Sequence, residues 1–301
     1  MAKLNTDEYI HYLSNERRYS KHTLVAYQND LDDYQQYIRE YYGDLPAAEH
    51  QHAHIRSWLS DLLARGLQAR TVSRKISALK SFFKYSLEQG YITTNPTLKL
   101  SPIKIPHRIP VFIQENDMQK LFTEPEFEDN YKGIRDYTIL QILYGSGIRV
   151  SELIHLSINN IDLAATNLKV RGKRNKERII PFSFQLKQVL IVYLEQRKAF
   201  LAEKGIQDEG WLFLSTHGKK TYPKLIYETV RYYLEQVTTT EKKSPHVLRH
   251  TYATHLLSHG ADLNAIKELL GHSSLSATEV YTHSTIEQLK EIYEQAHPRG
   301  K

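Results

Sequence analysis

The 301-residue chain contains no cysteine. Disulfides, thiolate nucleophiles and cysteine-based zinc sites are therefore excluded, and the composition fits a reducing compartment. No apolar run approaches the ~20 residues of a membrane span; Val189 to Leu194 is about the longest and predicts buried helix. The polar N-terminus also lacks the apolar segment of a signal peptide. We therefore expect a cytoplasmic protein that does not enter a membrane.

Several familiar catalytic motifs are missing as well. The segment Gly145–Gly147 is too short for a Walker-type phosphate loop and has no lysine, and neither Gly-x-Ser-x-Gly nor His-Glu-x-x-His occurs. Two i,i+4 histidine pairs, His246/His250 and His255/His259, are candidate metal signals. Because each pair lacks an obvious third carboxylate ligand, we expect no metal site.

Positive charge is present in modest excess. Forty Lys and Arg residues against 34 Asp and Glu give a net charge of +6. This excess suits a polyanionic partner, but alone it only slightly favours nucleic-acid binding. The length allows two domains with ample core.

The first hundred residues show the apolar period of four short helices. We predict them over residues 6–15, from the Ser20 cap through 38, over 55–64 and over 69–89, which together make a small bundle. On the fourth helix, two i,i+4 pairs form a basic flank beside the apolar stripe: Arg70 with Arg74, and Lys80 with Lys84. This flank is either a solvated helix face or a contact to a polyanionic partner.

A proline-spaced basic segment follows the bundle. Its residues are Pro96, Lys99, Pro102, Lys104, Pro106, His107, Arg108 and Pro110. Because such a segment cannot be regular helix, we predict an extended linker at 101–110. Its Lys104 and Arg108 are candidate contacts to a phosphate backbone.

The second domain, from residue 111, mixes helices with one hairpin. Helices are predicted over 117–122, 131–144, from 151, over 184–202, 222–236, 249–258 and 263–270, with a tail helix over 285–296. Alternating segments 167–171 and 176–181 flank Gly172-Lys173-Arg174-Asn175, which indicates a β-hairpin. The fold class is thus mainly α with a small antiparallel β-sheet.

Basic side chains begin two of these helices. His246 and Arg249 are three residues apart at the mouth of a helix, where both can reach one anion. Leu248, Ala253, Leu256 and Leu257 indicate a buried side of that helix. An arginine on such a side needs an anion, which it can hold through two parallel hydrogen bonds.

Arg149 follows a glycine-rich turn and starts another helix. Glu152 lies three residues on, and it either orients Arg149 or forms an ordinary surface pair with it. Lys173 lies at the hairpin tip. It is either an ordinary solvated lysine or a general acid that protonates a leaving oxygen. His272 either caps a short helix or donates to a phosphate. Tyr281 becomes a nucleophile if guanidinium groups favour its phenolate.

Together, these motifs closely resemble those of the tyrosine recombinase family, most of all its bacterial Xer type. In chain order they are Gly-Ile-Arg149-Val-Ser-Glu152, Gly-Lys173-Arg174-Asn-Lys-Glu-Arg, Ser-Pro-His246-Val-Leu-Arg249-His, Leu-Gly-His272-Ser and Val-Tyr281-Thr-His. The resemblance covers essentially the whole chain. It implies a SAM-like core-binding domain that clamps DNA (1–100), a linker (101–110) and a catalytic domain with a tail helix (111–301).

The resemblance also implies the reaction. Tyr281 attacks the scissile phosphate, forms a 3′-phosphotyrosine and frees a 5′-hydroxyl. Arg149, Arg249 and His272 hold the phosphate oxygens and stabilise the transition state. Lys173 is the general acid for the 5′-oxygen. Neither a metal ion nor ATP is required, because the covalent link conserves the energy of the phosphodiester.

Two further residues complete the expected set. His246 is implied to assist proton transfer with Tyr281. Arg174 stands where many relatives have glycine after the catalytic lysine, and we expect it to contact DNA.

Two rounds of exchange on double-stranded DNA then pass through a Holliday junction in a recombinase tetramer. We favour a recombinase that resolves chromosome dimers at a dif-type site during chromosome segregation and cell division. We expect no arm-site-binding module before the helical domain, and no large insertion separates Arg249 from Tyr281. The alternatives are a mobile-element integrase and a DNA-binding protein without cleavage activity. A second Xer recombinase, an activating DNA translocase, and tail docking in cis or in trans are left open.

Overall fold

The computed structural model describes residues 5–101, 103, 111–172, 176–271 and 292–299. The chain divides into two compact units, Met1–Arg108 and Ile109–Lys301, each with its own apolar core. Among the described residues, no helix combines the length and the apolar character that a membrane crossing requires.

Four helices build the first unit, as predicted. They are α1 (Thr6–Asn15), α2 (Lys21–Tyr42), α3 (His52–Ala64) and α4 (Ala69–Glu88), with a 3-10 turn at Ala47–Glu49. The Ser20 hydroxyl caps α2 by accepting a hydrogen bond from the Thr23 backbone N–H. The apolar faces of the helices meet around Tyr9, Trp58 and Phe83, whose side chains are fully buried.

The second unit surrounds one central helix. Its helices are α5 (Glu115–Leu121), α6 (Tyr131–Ser146), α7 (Val150–Leu153), α8 (Phe184–Lys204), α9 (Pro223–Val237), α10 (Pro245–Ser258) and α11 (Leu263–Leu270). The helices α8, α9 and α10 all contact α6, which explains why α6 is buried on nearly every side. This mainly helical architecture confirms the predicted fold class.

A three-stranded antiparallel sheet lies in the same unit. Its strands are β1 (Ile161–Asp162), β2 (Asn167–Arg171) and β3 (Glu177–Pro181), in that order. The pairing of β2 with β3 confirms the hairpin, and its register places Val170 opposite Arg178. Strand β1 was not predicted, because two residues are too few to show an alternating pattern.

The start of α10 differs from the prediction. The helix α10 begins at Pro245, four residues before the predicted start, because proline is well suited to the first position of a helix. Both His246 and Arg249 therefore lie in its first turns.

The expectation that Leu257 is buried is wrong, since this side chain is 52% exposed, whereas Leu248 and Leu256 are buried.

The described end of the tail packs on its own unit. Residues 292–296 are helical, and Tyr293 and Ala296 belong to the apolar core of the second unit. The His297 ring stacks on the Tyr293 ring, with centroids 4.9 Å apart. The earlier part of the predicted tail helix, residues 285–291, lies outside the described residues.

Glycine at position 147 is required by both backbone and packing. Its φ of +59° is unfavourable for other residues, and a Cβ there would collide with the Tyr252 ring and lie 3.0 Å from Leu270.

We predict that Gly147→Ala destabilises the second unit by about 3 kcal/mol in urea unfolding. The control Gly205→Ala, at φ +62° with open space around it, should cost only about 1 kcal/mol. Equal losses would contradict the packing explanation.

Candidate active site

The glycine turn after α6 directs Arg149 into the interior of the second unit. Gly147 adopts the left-handed conformation, and its N–H donates to Leu143 O. Arg149 then takes the N-cap position of α7. Glu152, in the first turn of α7, accepts from the Arg149 backbone N–H at 2.8 Å and from Arg149 Nη1 at 2.9 Å. Glu152 is only 4% exposed, so the two do not form an ordinary surface pair.

Arg249 reaches the same turn from α10. Its guanidinium donates through Nη1 to Gly147 O and through Nη2 to Leu270 O, both at 2.6 Å. The side chain is buried because α10 turns this face toward α6 and α11. Two arginines a hundred residues apart in sequence therefore converge on one turn.

Three arginines donate hydrogen bonds to successive backbone carbonyls at the C-terminal end of α11. Leu269 O accepts from Arg178 Nε at 2.9 Å, Leu270 O accepts from Arg249, and Gly271 O accepts from Arg149 Nη2 at 3.3 Å. The last carbonyls of a helix have no partner within the helix, and the dipole there favours cations. This helix end therefore gathers guanidinium groups at the position that directly precedes His272 in sequence.

Arg178 is the one member of this cluster that the sequence analysis did not select. It donates to Glu152 through two bonds, Nη1 to Oε1 at 2.9 Å and Nη2 to Oε2 at 3.0 Å. A signal was available in the strand, because Arg178 alternates with Ile180 on the inward face of β3. An arginine at an inward position of a strand requires a buried partner.

The cluster carries more positive than negative charge. Among the described contacts, the guanidiniums of Arg149 and Arg178 pair with one carboxylate, that of Glu152, which also acts on the nearby Arg249 through its charge. Burial and, second, the charge of Arg149 together lower the pKa of Arg249 to about 10. Burial alone would raise the pKa of Glu152, but the hydrogen bonds and charge of Arg178 outweigh it and hold that pKa below its usual value. Such a site is suited to bind an anion with the geometry of a phosphate.

Of the remaining predicted catalytic residues, the structure describes only His246. His246 is exposed on the first turn of α10. Lys173, Arg174, His272 and Tyr281 lie outside the described residues, as do Lys104 and Arg108 of the predicted linker. Two flanking residues are described: Gly172 N–H donates to Lys176 O at 2.7 Å, and Gly271 ends α11.

The second i,i+4 histidine pair has structural partners. His255 contacts the Tyr144 hydroxyl through Nδ1 and Ile113 O through Nε2, both at 2.9 Å. His259 Nδ1 lies 3.5 Å from a Glu115 carboxylate oxygen. Across the part of the chain that the structure describes, no three His, Asp or Glu side chains are grouped as metal ligands.

The predicted basic flank of α4 is partly used by the first unit itself. Arg74 pairs with Asp30, a carboxylate that is 1% exposed. Lys80 donates to Leu100 O at 2.8 Å. Arg70 is exposed. The role of these side chains in DNA binding stays a prediction.

Lys84, the fourth residue of the flank, pairs with Glu88 one turn further along α4. Both side chains are largely exposed, so this ion pair is weak and leaves Lys84 accessible.

We predict that the buried carboxylate of Glu152 stabilises the second unit against unfolding. Glu152→Gln should lower the free energy of unfolding of the second unit by about 3 kcal/mol at pH 7, because buried guanidiniums lose their anion. The folded-state pKa of Glu152 lies below its ordinary value of 4.5. Its stabilisation is therefore complete above that value and disappears as the pH falls through the folded pKa. Urea unfolding across this range measures the difference.

The matched control is Glu177→Gln, which removes a carboxylate from exposed ion pairs with Lys169 and Arg171. Surface pairs of this kind contribute little, so the control should unfold like the wild type. A Glu152→Gln deficit that grows at low pH would contradict the assigned charge state.

Two models of the phage integrase family match the chain. The phage integrase family model matches residues 111–288, and the N-terminal SAM-like domain of phage integrases matches residues 6–90. A tyrosine recombinase XerC from Thermodesulfovibrio yellowstonii is 38% identical, over 97% of this chain and 96% of the relative. A XerC from Staphylococcus saprophyticus is 39% identical, over 97% of both chains.

Solved structures share the fold. The XerH recombinase bound to a palindromic difH substrate superposes with a TM-score of 0.72 at 22% identity, over 89% of this chain and 78% of that chain. The Tn1549 transposon integrase with circular intermediate DNA gives 0.69 at 18% identity, over 96% and 99%. The family resemblance is confirmed, and the chain belongs to the phage integrase family, among its Xer-type tyrosine recombinases.

Proposed function

We propose that the protein is a site-specific recombinase that resolves chromosome dimers at a dif-type site during chromosome segregation and cell division. The supporting observation is the convergence of Arg149 and Arg249 at the end of α11, within a buried cluster of excess positive charge. The relatives named XerC, and the XerH structure with its difH substrate, favour this role over that of a mobile-element integrase. The protein works in the cytoplasm.

The two arginines receive the scissile phosphate. A guanidinium has five N–H donors, and the described contacts of Arg249, to Gly147 O and Leu270 O, take one donor from Nη1 and one from Nη2. Non-bridging phosphate oxygens can therefore be bound in addition to, or in place of, these carbonyls. Because charge builds up on those oxygens in the transition state, fixed cations accelerate the reaction.

The chemistry is a transesterification in two steps. The Tyr281 oxygen forms a bond to phosphorus, while the bond from phosphorus to the 5′-oxygen breaks. His246 takes the phenolic proton, and Lys173 donates a proton to the leaving 5′-oxygen. The 5′-hydroxyl of a second strand then attacks the phosphotyrosine and releases Tyr281. His272 binds the phosphate with the arginines.

Three segments of the chain have separate roles on double-stranded DNA. Residues 1–100 clamp the duplex, 101–110 form the linker, and 111–301 carry the catalytic groups. Four recombinase subunits exchange strands through a Holliday junction.

Covalent trapping tests the nucleophile. On a nicked dif-like substrate that loses its 5′-hydroxyl fragment, the wild type should accumulate a protein–DNA adduct at Tyr281, identified by mass spectrometry. Tyr281→Phe should bind the same DNA with unchanged affinity and yield no adduct. The control Tyr232→Phe removes the hydroxyl of an exposed tyrosine and should react normally. An adduct from Tyr281→Phe would refute the nucleophile, and no adduct from the wild type would refute the cleavage function.

The clamp has a separate test. Arg70→Ala should weaken half-site binding, and should reduce the slope of log K against log salt by about 1, because one phosphate contact is lost. Its thermal unfolding should match the wild type. Arg74→Ala should lower thermal stability, because Arg74 pairs with buried Asp30. An unchanged salt slope for Arg70→Ala would remove this residue from the DNA contact.

A further inference from the structure

The carboxylate of Glu152 is shared unequally between two arginines. Oε1 accepts from Arg149 Nη1 and from Arg178 Nη1, both at 2.9 Å. Oε2 accepts from the Arg149 backbone N–H at 2.8 Å and from Arg178 Nη2 at 3.0 Å. Arg178 thus forms the two-pronged guanidinium pair, and Arg149 contributes only one guanidinium bond. A carboxylate has about four acceptor positions, so these four bonds fill Glu152.

Arg178 is buried and held on several sides. Its side chain is 6% exposed, against 24% for Arg149. The Nε donates to Leu269 O, and the strand register fixes its Cα opposite Val170. Gly271 packs so closely that a Cβ there would lie 3.0 Å from Arg178 Nη1. Arg178 is therefore locked between β3, α7 and the end of α11.

The loss of Arg178 would change the state of Arg149. Glu152 is buried, and it would retain a single cationic neighbour among its described contacts. A buried carboxylate pairs as fully as it can with the available cation, and the strongest arrangement is a two-pronged bond to the guanidinium. Arg149 would then face Glu152 and not the incoming phosphate.

We propose that Arg178 is a positioning residue for DNA cleavage: it occupies and neutralises Glu152, so that the Arg149 guanidinium stays available to the scissile phosphate. This inference rests on the proposed function. It assigns to Arg178 no contact with DNA.

The test is a double-mutant cycle measured by single-turnover cleavage of the nicked half-site at saturating protein. Arg178→Met should reduce the cleavage rate constant by about 100-fold, the effect of losing one fixed transition-state donor. Glu152→Gln removes the negative charge that competes for Arg149. The double variant should therefore cleave at least about 10-fold faster than Arg178→Met alone, a non-additive rescue.

The reaction amplitude separates this effect from misfolding. A variant that is partly unfolded loses amplitude, whereas its folded fraction cleaves with an unchanged rate constant. The positioning role predicts a reduced rate constant with unchanged half-site affinity.

The control Arg197→Met removes an arginine in a similar environment elsewhere in the second unit. Arg197 also forms a two-pronged pair, with Asp208, and donates through Nε to Trp211 O. Its side chain is 2% exposed. This variant should cleave with the wild-type rate constant, whatever its stability.

The inference is overturned if Arg178→Met retains the wild-type rate constant, or if the double variant cleaves no faster than Arg178→Met. Should Arg178→Met fail to fold, Arg178→Lys replaces it, because a lysine keeps a cation beside Glu152. Its rate constant should stay within about 10-fold of wild type, and a folded variant slower than that contradicts the charge-based role. An absence of cleavage by the wild type would instead refute the proposed function.

Discussion

The buried carboxylate of Glu152 is the interaction on which the candidate site depends. Without it, the guanidiniums of Arg149 and Arg178 would lie close together with no compensating charge among their described contacts. Buried charges are costly, and even a well-formed buried ion pair contributes little net stability. The cluster is therefore better explained by function than by stability. Its excess positive charge is a cost that a bound phosphate offsets.

The fold brings this cluster together from four separate segments. Arg149 follows the glycine turn after α6, Arg249 lies in the first turns of α10, and Arg178 lies in strand β3. All three meet at the end of α11, because its last carbonyls lack partners within the helix. The same carbonyls precede His272 in sequence, so the helix end that holds the arginines also leads into the next predicted catalytic residue.

Helix period and capping residues were enough to predict the four-helix bundle and most helices of the second unit. The alternating segments on either side of a turn predicted the hairpin. Motif order selected Arg149, Glu152 and Arg249 as candidate site residues. It also selected Tyr281 among 21 tyrosines as the candidate nucleophile, a choice that composition alone does not give. Tertiary contacts were not predictable. The partner of Arg74 is Asp30, 44 positions earlier, and the arginine contacts at α11 depend on the packing of whole helices. Arg178 was missed because strand register, not local composition, turns it inward.

The most direct measurement is a crystal structure of the Tyr281→Phe variant bound to a dif-like half-site. The account predicts one backbone phosphate with oxygens within about 3 Å of both the Arg149 and the Arg249 guanidinium, while Arg178 remains on Glu152. A scissile phosphate that contacts neither Arg149 nor Arg249, with both arginines still held by the α11 carbonyls, would contradict it.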